Sequence, residues 1–221
     1  MEYQKHQHRH GWDLLQLTAY KPLWTEIHQV ITGISDHDIQ SKVQNWELGG
    51  KRGRSAYWTG GKSLSRALNE LFKERFVALG WASESPIFKS EPGSPFPWRL
   101  DFAKSSISVE VVFNNSGSTA WNMLKPVLAG EINHVEKAVD TKFGVLILAT
   151  EEMKKAGGFD AACETFENAR SFLKPLQNQL SVPLVLIGLE APESFSVEEV
   201  PGPGRKSGRF VSPPPRLSPP P

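Results

Sequence analysis

The sequence predicts an α/β fold, a central mixed β-sheet flanked by helices, and three observations carry that expectation. Phe143–Ala149 and Val182–Leu189 are almost unbroken apolar runs of strand length, as strands buried on both faces require. Leu100–Phe113 reads as two shorter strands in succession. Stretches with apolar residues at helical spacing separate these segments, so the order is strand pair, helix, strand, helix, strand.

Taken in order, the first helix spans Leu23–Ile34, with Leu23, Trp24, Ile27, Ile31 and Ile34 in one stripe and a start near Pro22. Residues 49 to 61 contain five glycines together with Lys51, Arg52 and Arg54, and read as a loop. Ser63 is the expected cap of a second helix, whose stripe is Leu64, Leu68, Leu71, Phe72, Phe76 and Leu79 and whose stop is Gly80. Four prolines make Ser83–Pro97 a loop. Leu100–Ala103, a turn at Lys104–Ser106 and Ile107–Phe113 form the strand pair. Alternation puts Ile107, Val109, Val111 and Phe113 on one face, and Ser108, Glu110 and Val112 on the other. Met123–Val139, despite Pro126, and Phe159–Leu173 are the expected helices around the strand Phe143–Ala149. Residues 1–194 then make one domain, with its core at about 10–192. The last 27 residues, Phe195–Pro221, hold eight of the 17 prolines and read as a disordered, basic, proline-rich tail.

Composition narrows the function. Of 221 residues, 39% are hydrophobic, enough for a core. The 25 basic residues nearly balance 24 acidic ones, which excludes a histone-like or polyacidic protein and makes any basic surface a local one. The single cysteine, Cys163, excludes a disulfide framework within the chain and a cysteine-based zinc site. The N-terminal residues lack the layout of a signal peptide, and no apolar run approaches the ~20 residues of a bilayer span. A soluble, cytoplasmic protein is expected.

The chemistry concentrates in Arg99–Asn115. Asp101 ends one short strand and Glu110 lies inside the next, so a hairpin brings the two carboxylates towards one point. Glu110 stands among Ile107, Val109, Val111 and Phe113, where an unpaired carboxylate is costly. Two converging carboxylates suit a hard divalent cation such as Mg²⁺ and leave coordination places for water and a phosphate oxygen. The plainer alternatives are that Glu110 faces solvent on an edge strand, or pairs with Lys104 or Arg99.

The stretch Leu100-Asp-Phe-Ala-Lys…Val109-Glu-Val-Val-Phe-Asn-Asn115 resembles the core of type II restriction endonucleases of the BglII and BstYI kind, within the wider class with an Asp…Glu-x-Lys site. The similarity continues, in the expected order, through Pro22–Ile27, the Ser63–Trp81 helix, Phe143–Ala149 and Val182–Gly188. It implies a restriction-endonuclease-like fold and Mg²⁺-dependent, sequence-specific hydrolysis of double-stranded DNA. Asp101 and Glu110 would be the catalytic carboxylates and metal ligands, with the Val111 carbonyl as a further ligand. A palindromic site, a homodimer, a bacterial cytoplasmic setting and a cognate DNA methyltransferase are implied as well.

One departure bears on catalysis. The family places Gln or Glu two residues after the Glu, and the wider class places Lys; here the residue is Val112. Valine neither ligates metal nor orients water, and losing one positioned catalytic group costs a factor of ~10²–10⁴. Lys104, near the turn, is the candidate for a displaced auxiliary cation, with a solvent-exposed turn lysine as the plainer reading. The rival for the whole chain is a DNA-binding homologue whose cleavage Val112 impairs.

Asn115, then Asn114 and Ser116, are candidate DNA contacts, since Asn can pair with adenine through two hydrogen bonds. The same residues also make an ordinary turn. Lys51, Arg52 and Arg54 suit the phosphate backbone, or else belong to a plain loop. Glu70 or Glu74 would join the site only from a flanking helix, against the simpler role of salt bridging. Ala56–Ser63 resembles a relaxed phosphate-binding loop but follows no convincing strand. His6, His8 and His10 need a further ligand to close a metal site.

Overall fold

The computed structural model describes residues 1–49, 62–89, 98–131, 139–201 and 206–212. Along the chain run β1 (Tyr3–His8), α1 (Gly11–Leu15), α2 (Lys21–Gly33), α3 (Asp36–Gly49), α4 (Ser65–Ala78), β2 (Ala82–Pro86), β3 (Arg99–Lys104) and β4 (Ile107–Val112). There follow α5 (Thr119–Gly130), β5 (Phe143–Ala149), α6 (Glu151–Ala156), α7 (Phe166–Leu173), β6 (Leu184–Leu189), β7 (Ser196–Pro201) and β8 (Lys206–Val211). Six strands form one sheet in the order β1-β6-β5-β4-β3-β2. β4, β5 and β6 run parallel, and the outer pairings are antiparallel.

The two-residue period of the central strands makes two cores. Ile107, Val109, Val145, Ile147, Val185 and Ile187 meet Trp24, Ile27, Ile31, Leu68, Phe72 and Phe76 of α2 and α4 on one face. On the other, Val112, Leu146, Leu148, Leu184 and Leu186 meet Met123 and Val127 of α5 and Phe166, Ala169 and Leu173 of α7. The result is a sheet between two helical layers, as the sequence predicts. Close approach of α5 depends on Gly144, because a Cβ there would lie 2.6 Å from Pro126 and from the Leu184 side chain. Gly80, at φ +79°, supplies the left-handed residue after α4.

Several elements depart from the sequence expectation. β1 is an edge strand made almost wholly of polar residues, and its buried His8 holds the Leu180 carbonyl through Nε2 at 2.8 Å. β2 occupies the start of the expected proline loop; as an outer strand it tolerates Pro86 at its end. α4 begins at Ser65 without a side-chain cap, and Ser63 Oγ instead meets Ser65 Oγ at 2.9 Å. α5 starts early, at Thr119, while α7 starts late, at Phe166, where Thr165 Oγ1 accepts from the Asn168 amide. Disorder from residue 195 onwards is not what the structure has. β7 and β8 form an antiparallel hairpin, Phe195 and Val197 are buried in the main core, and the Phe195 and Phe210 rings meet edge to face at 4.8 Å. Three apolar side chains, Phe195, Val197 and Phe210, anchor it within the proline-rich composition. Residues 213–221 lie outside the described residues.

Candidate active site

The β3–β4 ladder ends at Phe102↔Val109. One residue beyond, carboxylates take over from backbone pairing: the Val111 amide donates to Asp101 Oδ2 at 2.8 Å, and the Asp101 amide to Glu110 Oε1 at 3.3 Å. Each acid is thus fixed by the opposite strand. Asp101 is half-buried, and Glu110 is only 1% exposed. Lys125 of α5 brings the compensating charge, with Nζ 2.5 Å from Glu110 Oε2 and 4.0 Å from Asp101 Oδ1.

Burial pushes the Glu110 carboxyl up to about 8, and the Asp101 charge adds to this, against the pull of Lys125 and the Asp101 amide. Asp101 is raised for the same first reason, with Glu84 contributing and Lys125 and the Val111 amide opposing. Burial lowers Lys125, but Glu110 and Asp101 outweigh it and the net direction is upward.

Asp101 and Lys125 line a cleft of about 360 Å³ with Glu84, Asn114, Asn122 and, from successive turns of α4, Ser65, Asn69 and Lys73, while Glu110 is buried and is not one of its lining residues. Glu84 falls opposite Asp101 in the β2–β3 register between Ser83↔Phe102 and Ser85↔Leu100, and its φ of +52° interrupts the pairing there. Sequence reasoning singled out neither Glu84 nor Lys125. Both reach the site only through the docking of other elements, so local spacing holds no signal for them.

The remaining candidates separate. Val111 lines the cleft and gives its amide to Asp101. Val112 does not line it: the side chain is 1% exposed and packed with Met123 and Val127 beneath α5. Lys104 is not the auxiliary cation, nor a free turn lysine. Its Nζ contacts both Glu26 carboxylate oxygens at 2.8 and 2.7 Å and the Leu79 carbonyl at 2.7 Å, tying β3 to α2 and the end of α4. Glu70 pairs with Arg66, and Glu74 with Lys42, across exposed helix faces. Lys51, Arg52 and Arg54 lie outside the described residues.

Asn114 Oδ1 accepts from Asn122 Nδ2 at 3.3 Å, and exposed Asn115 caps a 3₁₀ turn at Ser116–Ser118 by accepting from the Gly117 amide at 2.8 Å. The segment rests on residues 162–164: Ser116 donates to the Ala162 carbonyl at 2.8 Å, and Glu164 donates to the Asn114 carbonyl at 3.0 Å. Glu164 is fully buried, held by the Thr119 hydroxyl, Asn168 and the Thr165 amide.

Asp101 and Glu110 offer hard oxygen donors held close together, and that donor set fits Mg²⁺. Among the described residues no group of three His, Cys, Asp or Glu side chains is placed to hold a metal. Mg²⁺ is commonly held through one or two carboxylates, with water and substrate phosphate completing the shell.

The family model for restriction endonuclease BglII/BglIII matches residues 3–189. The crystal structure of restriction endonuclease BglII complexed with a DNA 16-mer is similar at a TM-score of 0.62 and 16% identity, covering 96% of this chain and 100% of that one. Free BglII gives 0.50 and 17% over the same shares. At these identities the structural likeness is one of fold. No curated protein matches the chain in sequence.

Proposed function

The chain belongs to the BglII/BglIII family of restriction endonucleases, a family of sequence-specific DNA nucleases, and from that premise we infer that Asp101 and Glu110 are its Mg²⁺-binding catalytic carboxylates. The observation that supports this most is their convergence where the β3–β4 ladder stops, each held by the other strand's amide. The Val111 carbonyl serves as a further ligand. A divalent cation bound there supplies positive charge to the phosphate and lowers the pKa of water. The protein's own part is to keep both carboxylates oriented, with Asp101 open to the cleft and Glu110 buried beside it and held by the Asp101 amide.

Asn114, Asn115 and Ser116 are the proposed base-reading segment; its anchoring to residues 162–164 supports a fixed register against DNA. Lys51, Arg52 and Arg54 are proposed for the phosphate backbone. A palindromic site is matched most simply by a symmetric homodimer. A cognate methyltransferase would protect the host genome, in a bacterial cytoplasmic setting. Among the described residues no helix is long and apolar enough to cross a membrane.

The test is incubation with plasmid and phage DNA in Mg²⁺, in Mn²⁺ and in EDTA. Discrete fragments that require metal are expected, and their ends give the recognition sequence. Intact DNA in both metals, with a gel shift in Ca²⁺, would overturn cleavage and leave binding alone.

A further inference from the structure

We infer that Lys125 is the third working group of this site: its ammonium stands in the cation's place in the metal-free protein and passes to the scissile phosphate when metal and DNA bind. The inference rests on the metal-site reading above and deepens it. Among the described residues, Lys125 is the cation that the fold brings to both acids, 2.5 Å from one and 4.0 Å from the other. It enters from α5, whose distance from the sheet is set by Pro126 against Gly144, so its stem cannot withdraw far. A divalent cation taking the carboxylates repels the ammonium at short range. The anion then entering the same cleft is the DNA phosphate, within reach of a side chain that already lines it. Position 112, where the family carries a polar group, is sealed beneath α5 and cannot serve. A cation from the neighbouring helix takes up that role.

The test uses Lys125→Met and Lys125→Arg in the full chain. Melting temperature is compared in EDTA and in millimolar Ca²⁺ at one fixed pH. Ca²⁺ should stabilise Lys125→Met by several degrees more than the wild type, because the competing ammonium is gone. Single-turnover cleavage in Mg²⁺ should fall by ~10²–10³-fold in Lys125→Met and by less in Lys125→Arg, while DNA binding in Ca²⁺ changes by less than about tenfold. An equal Ca²⁺ response in both proteins, or unchanged cleavage, would overturn the inference. A merely structural lysine would lower the melting temperature without altering its Ca²⁺ dependence, which also overturns it. Glu110→Gln separates the two readings: it should lose the Ca²⁺ response and cleavage together, and if it kept both, the metal site itself would fall.

Discussion

Glu110 concentrates the energetics of the site in one side chain. Its folded value of about 8 lies above the ordinary 4.5, so the folded protein holds this proton more tightly than the unfolded chain. In EDTA, stability should therefore decline as pH rises from about 5 to about 8 and level off beyond. Divalent metal should flatten the decline, and Glu110→Gln should lack most of it; thermal melts across pH check both. Asp101→Ala should abolish cleavage and leave DNA binding in Ca²⁺ mostly intact in a gel shift, whereas an equal loss of binding would count against a metal-ligand role. Val112→Gln puts an amide among Met123 and Val127. It should cost about 1–3 kcal/mol in denaturant unfolding and bring no gain in cleavage.

Elements were legible to the extent that their signal is local. β4 announces itself by alternation, and β5 and β6 by unbroken apolar runs. β1 and β2 are outer strands whose polar or proline-bearing residues carry no such pattern, and they exist because β6 and β3 offer open edges. The β7–β8 hairpin hides in a proline-rich stretch because a few apolar anchors hold it. The site divides in the same way. Asp101 and Glu110 belong to one hairpin, and their pairing follows from its geometry. Lys125 depends on how closely α5 sits, which depends on Gly144. Gly144→Ala should cost about 1–3 kcal/mol through overpacking. By moving α5 it should also lower single-turnover cleavage about tenfold or more, with circular dichroism unchanged.

The whole molecule carries a net charge of only +1, so its attraction to DNA must come from where cations are placed. Lys73 is exposed on the α4 rim of the cleft, on the turn after Asn69. Lys73→Ala should weaken DNA binding about uniformly across sequences and reduce the log–log salt slope by about 1, as binding isotherms at several ionic strengths would show. The charges of the site come from parts of the chain with different sequence separations. The acidic hairpin is local and can close in about 1–10 μs while water still surrounds both carboxylates. Docking α5 requires the parallel partner β5, a slower, non-local event. In the folded chain α5 carries Lys125 to the buried Glu110, so the helix that packs over this part of the sheet also supplies the acid's partner.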